Sequence, residues 1–135
     1  MIEVAFRNIL TADEAVAPLV GARVYFITRP QDDRRTCIVL NLVSQKVPDM
    51  CYGGGDYSTG RMQVSCLAPT YPAAKALAQA VRAAIDGFTG VNDGTTIGYI
   101  LVDSYRDIPV LPLPSAGLPA TYGVNVDAMF MVKEL

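Results

Sequence analysis

The segment from Thr70 to Gly87 constrains the fold of this chain more than any other. It reads Thr-Tyr-Pro-Ala-Ala-Lys-Ala-Leu-Ala-Gln-Ala-Val-Arg-Ala-Ala-Ile-Asp-Gly. Thr70 is suited to an N-cap, and Pro72 fits the first turn, where a missing N–H costs nothing. Ala74, Leu77, Ala78, Val81, Ala84, Ile85 and Phe88 recur at helical spacing and make one apolar stripe. Lys75, Gln79, Arg82 and Asp86 lie mostly off it, and Gly87 or Gly90 ends the helix. A helix with a single apolar stripe needs a second layer to cover it. Its many alanines allow a sheet to approach closely.

Strand patterns on both sides of this helix supply that layer. Arg61 to Ala68 alternates, with Met62, Val64, Cys66 and Ala68 facing one way and Arg61, Gln63 and Ser65 the other. Residues 36–47 carry apolar side chains on both faces (Ile38, Leu40 and Leu42 against Cys37, Val39 and Val43), the pattern of an interior strand covered on both sides. Val24 to Ile27 is a short β-prone run. Residues 95–107 and 121–133 complete the set, the last alternating Val124, Val126, Ala128, Phe130 and Val132 with Asn125, Asp127, Met129, Met131 and Lys133. Residues 2–10 read as a short helix through Ile2, Ala5, Phe6, Ile9 and Leu10. Thr11 with Glu14 matches a capping box that starts a second short helix, ended by Gly21. Asn92-Asp-Gly94 is a turn signal.

The expected fold is therefore one α+β domain over 1–135. It has a mainly antiparallel sheet of four to five strands, one long helix packed on one face, and short N-terminal helices. These helices are too few to cover both faces of the sheet. The second face, with Val39, Val43, Met129 and Met131 among polar residues, is a natural place for a neighbouring subunit. Three connections stand out: a charged loop at 29–35, a glycine-rich one at 48–60, and a proline-rich stretch at 109–119 with four prolines in eleven residues.

Composition narrows the function. Charged residues make up 18% of the chain, against about 25% in typical domains. Such a surface is well suited to being covered by partners. The net charge of −2 sets up no field for nucleic acid, and Arg34, Arg35 and Arg61 read as scattered surface charge. No apolar run is long enough to span a membrane, and the N-terminus does not read as a signal peptide. A cytoplasmic site of synthesis is the expectation.

There is no histidine, so Ser/His/Asp and Cys/His sites are excluded. Cys37, Cys51 and Cys66 are 14 and 15 residues apart, a spacing that suits neither zinc nor a disulfide framework. Gly53-Gly-Gly-Asp56 lacks the Gly-Lys-Ser/Thr ending of a phosphate loop. Asp32-Asp33 and the Asp103/Asp107 pair are the nearest carboxylate groupings, and they leave a small carboxylate-dependent hydrolase as a minor alternative. No catalytic residue, cofactor or metal is expected.

One resemblance spans almost the whole chain. The strand running through Cys66 into Thr70-Tyr71, and the helix ending Ala-Val-Arg-Ala-Ala-Ile-Asp-Gly87, look like the tail completion proteins of long-tailed bacteriophages. Val20-Gly-Ala-Arg-Val-Tyr25 after two short helices is similar to the opening of that family, and Asp103, Tyr105 and Arg106 with a late strand complete the layout. The stretch 109–119 departs from it, being longer than the hairpin expected there.

The resemblance implies a tail terminator, or head–tail joining protein, at the head-proximal end of the virion tail. It would act as a homohexameric ring, with the tail-tube protein and a head-completion or connector protein as partners. On composition, neither a membrane nor a sequence-specific nucleic acid is expected as a partner. Another phage neck or baseplate module is the alternative. The two loops and the neighbouring strands suggest Arg34, Arg35, Tyr52, Asp56, Tyr57, Arg61 and Arg106 as interface residues.

Overall fold

The computed structural model describes residues 1–28, 35–46, 57–108 and 121–134. In chain order these form α1 (Ile2–Ala12), α2 (Ala17–Val20), β1 (Val24–Phe26), β2 (Cys37–Gln45), β3 (Ser58–Ala68), α3 (Tyr71–Ile85), β4 (Gly90–Asn92), β5 (Thr95–Ile108) and β6 (Tyr122–Glu134). The glycine-rich connection at 47–56, most of the charged loop (29–34) and the proline-rich stretch at 109–120 lie outside the described residues.

The long helix forms as its sequence dictates. Thr70 accepts a long hydrogen bond of 3.4 Å from the Ala73 N–H, and Ala74, Leu77, Ala78, Val81 and Ile85 are buried. In α1 the five apolar residues at helical spacing are all buried. That helix runs two residues further than its pattern suggests, because the Thr11 hydroxyl donates back to the Arg7 carbonyl at 2.9 Å. Thr11 therefore belongs to the last turn of α1 and is not the cap of the next helix. Asp13 leads into α2 instead: its Oδ1 accepts from the N–H groups of Ala15 and Val16 at 2.9 and 3.1 Å. Gly21, at φ +58°, ends α2 as expected.

The sheet has six strands in the order β1-β2-β3-β6-β5-β4. Two features differ from expectation. First, β4 is an additional strand. Asp93 and Gly94, with φ of 52° and 72°, make a two-residue hairpin whose positive φ at both positions suits the right-handed twist of the strands. What reads as a turn signal is thus a hairpin with a three-residue partner strand. Second, β1 pairs with β2 in parallel, while every other pair is antiparallel. A three-residue strand makes too few ladder bonds to set its own direction. Its direction follows from where α2 delivers the chain, with the Ile38 N–H donating to the Arg23 carbonyl and the Ile27 N–H to the Leu40 carbonyl.

The helices share one face of the sheet. Its core joins Ile38 and Leu40, Met62, Val64 and Cys66, Ile97 and Ile100, and Val124 to Val132 at alternate positions of β6 with the stripes of α1 and α3. Phe6 of α1 meets Phe130 of β6 edge-on, with ring centroids 6.1 Å apart. α1 touches both β1 and β4, the two end strands. In a flat sheet those strands would lie about 24 Å apart, whereas an 11-residue helix is only about 16 Å long. The sheet is therefore curled around its helices, leaving a convex face on the other side. The β2 strand is buried on both faces only from Cys37 to Leu40; its convex face opens at Asn41, and Val43, at a bulge between Leu42 and Ser44, is exposed.

Gly60 sits where β2, β3 and the Phe130 ring come closest together around its Cα. A Cβ there would run into the Ser44 carbonyl oxygen and lie 2.6 Å from the Phe130 ring. Gly60→Ala should lower stability by about 1–3 kcal/mol, the usual range for overpacking. Urea denaturation monitored by circular dichroism checks this, with an unchanged midpoint as the contrary result.

Candidate interaction surface

The register of the three central strands lays the convex face out in rows. Thr59 of β3 opposes Met131 of β6, which opposes Tyr99 of β5. The following rows are Arg61–Met129–Leu101, Gln63–Asp127–Ser104 and Ser65–Asn125–Arg106. The first two rows are mainly apolar, with Leu101 and Met129 exposed. The last two are wholly polar.

Two arginines arch across β6 in opposite directions. Arg61 starts on β3 and reaches Asp103 on β5, with its Nη1 2.9 Å from Oδ2. Arg106 starts on β5, donates from Nη2 to the Gln63 Oε1 on β3 at 3.4 Å, and places Nε 3.4 Å from the Asp127 Oδ2. The Ser104 hydroxyl donates to the same oxygen of Asp127 at 3.3 Å. The Ser65 hydroxyl donates to Asn125 Oδ1 at 2.7 Å and accepts from Gln63 Nε2 at 3.4 Å, which extends the network by one row.

Asp127 is the buried member, only 7% exposed. Among the described residues its Oδ1 is enclosed without a donor. A buried carboxylate depends on its paired cation far more than an exposed one does. The Arg61–Asp103 pair is partly exposed on both sides and contributes correspondingly little.

Of the seven interface residues expected from sequence, Arg34, Tyr52 and Asp56 lie outside the described residues. Arg35 is exposed just before β2, and Tyr57 is exposed just before β3. Arg61 and Arg106, 45 positions apart in the sequence, are brought onto one face. Asp127 was missed: its alternation with valines places it on the outer face, and nothing local shows that the curl and Arg106 enclose it.

The carboxylate pair Asp103/Asp107 is not a dyad. The bulge between Val102 and Ser104 separates their roles. Asp103 binds Arg61 on the convex face, while Asp107 accepts from the Tyr71 hydroxyl at 3.0 Å and lies 3.7 Å from Lys75 Nζ on the helical side. Carboxylates on opposite faces cannot share a substrate, so this geometry does not support the hydrolase alternative built on that pair. Cys37 and Cys66 are both buried. Burial, reinforced by Cys37, pushes the Cys66 thiol well above its usual range, and a thiol held protonated is a poor nucleophile. Among the described residues no three His, Cys, Asp or Glu side chains gather as a metal site, and no helix is long and apolar enough to cross a membrane.

This surface organises its charges into pairs along a sheet face. Comparison with known proteins gives the chain a family. The profile of the tail completion protein gp17 family matches residues 4–109, and the chain belongs to that family of phage-type tail proteins. Its fold is shared with a chain in a solved structure titled "Virion of native gene transfer agent (GTA) particle". The two are 21% identical with a TM-score of 0.75, over 98% of this chain and 94% of that one. A second solved structure shares the fold at 14% identity and a TM-score of 0.63, over 99% and 94% of the two chains. A search of curated protein sequences finds no match.

Replacing either arginine tests the ranking of the two bridges. Arg106→Ala should destabilise by about 1–3 kcal/mol, because it strips the cation from a buried carboxylate. Arg61→Ala should cost about 1 kcal/mol or less, as expected of an exposed pair. Chemical denaturation of both variants gives the comparison, and equal losses would contradict the role assigned to Asp127.

Proposed function

We propose that this chain closes the head-proximal end of a phage tail tube as a ring of six identical copies and presents the surface to which the head connector docks. The observation that carries the reading is the family match over residues 4–109. In this reading the chain is structural and has no catalytic residue or cofactor. Its partners are its own copies, the tail-tube protein and the head-completion or connector protein, with no role for a membrane or for sequence-specific nucleic acid. Assembly takes place in the bacterial cytoplasm before the ring becomes part of the virion.

The physical features support this reading. A closed ring needs two different patches on each subunit, related by a rotation that closes. A chain with 18% charged residues has surface to cover, and the exposed Leu101, Met129 and Val43 lie on a face that the helices leave bare. Charges already paired across that face, Arg61 with Asp103 and Arg106 with Asp127, can enter an interface without leaving an unmatched ion. Arg61 and Arg106 are then contact residues of the convex face. Arg34, Arg35, Tyr52, Asp56 and Tyr57 serve as contacts from the connections before β2 and β3.

The test is genetic and visual. A phage that does not express this chain should accumulate filled heads and unjoined tails of irregular length in electron micrographs. Purified protein added to those tails should form a cap at one end with six-fold averages. Tails of normal length joined to heads without the chain would overturn the reading, as would gold label at the distal tip.

A further inference from the structure

Ile27, the residue after β1, is unusual in two respects at once. Its backbone lies at φ +69°, where a β-branched L residue is a genuine outlier. Its side chain is 73% exposed, the most of any large apolar side chain among the described residues. The backbone shape has a local cause. The Ile27 N–H donates to the Leu40 carbonyl at 2.9 Å and extends the β1–β2 ladder, while the Thr28 N–H turns back to the Phe26 carbonyl at 2.7 Å. These bonds close a three-residue γ-turn around Ile27, of the hand that is rare and strained. Such a turn favours glycine, which meets positive φ without a Cβ penalty. Nothing in the described fold favours isoleucine, whose side chain is not among those packed on the core. A side chain that strains its own backbone and gains no burial there is suited to burial in another molecule.

The same chain carries a place for it. A cavity of about 310 Å³ opens on the convex face where Thr59 and Arg61 of β3, Met129 of β6 and Tyr99 of β5 meet Lys46, just after β2. An apolar cavity of about 150 Å³ already holds a benzene ring, so this one has room for an isoleucine side chain. Met129 can adapt its shape to what it meets. The stems of Arg61 and Lys46 add methylenes to the walls while their charged ends stay at the rim. Arg61 is matched by Asp103, so covering the cavity does not strand that ion. Ile27 does not fill the cavity of its own chain. Phe26 pairs with Leu40, which places Ile27 level with Asn41, roughly 10 Å along β2 from the cavity wall at Ser44.

We infer that Ile27 of one copy inserts into this cavity of a second copy. A second copy is the occupant because the chain itself supplies both halves, the protruding side chain and the cavity, and neither fills the other within one molecule. A projection and a cavity at different places on one chain make a heterologous contact, which closes into a ring when the rotation between copies closes. The contact lies within the ring proposed above and depends on it.

Two kinds of variant test it, on the free protein and on unjoined tails from phage that do not express the chain. Ile27→Gly should hold or raise the thermal midpoint at low protein concentration, because glycine relieves the turn. The same variant should weaken association between copies, measured by sedimentation and by cap formation on the tails, at least about tenfold. In a Cys51→Ser background, protein with Ile27→Cys mixed with protein with Met129→Cys should give disulfide-linked pairs on the tails under mild oxidation, where neither does so alone. Six-fold caps that form without this mixed cross-link, or with Ile27→Gly at undiminished affinity, would overturn the contact and leave the ring. Failure of the unaltered protein to associate with itself, free or on tails, would overturn the ring and the contact with it. A lowered midpoint in Ile27→Gly would assign the side chain to the fold, and lost binding to tails or heads with association between copies intact would assign it to another protein. Either result overturns the inference.

Discussion

The structure depends on the burial of one side of β6. Val124, Val126, Ala128, Phe130 and Val132 are fully enclosed between the neighbouring strands and the helices. β6 pairs with β3 along eleven residues and with β5 along nearly all of its length. Both α3 and the Phe6 side chain of α1 rest on it. Each fully buried aliphatic or aromatic side chain contributes about 1.5–3 kcal/mol relative to exposure. Loss of this ridge would remove the surface against which both helices are held. The curl follows from the same packing. One short helix reaches both end strands only when the sheet wraps around it, and Gly60 allows the β2–β3 hairpin to close against Phe130.

Wrapping the sheet around its helices has a consequence on the other side. Among the described residues the convex face carries no helix, yet its middle rows are only partly exposed, because long side chains lie across the strands. Arg61 and Arg106 bridge β3 and β5 over β6, so each ties together strands that do not pair directly. The Asp127 carboxylate lies under Arg106, held on one oxygen by Arg106 and Ser104. A polar network supported by a curved sheet and bordered by Leu101 and Met129 is a surface that another protein can meet without desolvating unpaired charge. That suits a member of the tail completion protein gp17 family.

Much of this fold was legible because burial leaves periodic traces. Thr70, Pro72 and the stripe from Ala74 to Ile85 specify a helix, its start and its buried side. Alternation along 61–68 and 121–133 specifies strands and their inner faces. β4 was not legible as a strand, since Gly-Val-Asn is too short to show a period and is held by its hairpin partner. Nor was the cap of α2. Thr11 and Asp13 both have capping chemistry, and burial of Ile9 and Leu10 keeps the first helix intact past Thr11, leaving the role to Asp13.

The sequence by itself determined the kind of layers this protein has, the side each one buries, and the chemistry it lacks. Those properties reside in local spacing and in residue types, and an absent histidine is absent in any fold. Only the tertiary structure decided the sense of β1, the separation of Asp103 from Asp107 on opposite faces, the burial of Asp127, and the meeting of Arg61 with Arg106. The sense of β1 depends on where α2 delivers the chain, and the other three depend on strand register and on bulges that shift it by one residue. In a strand, one residue is the difference between one face of the sheet and the other.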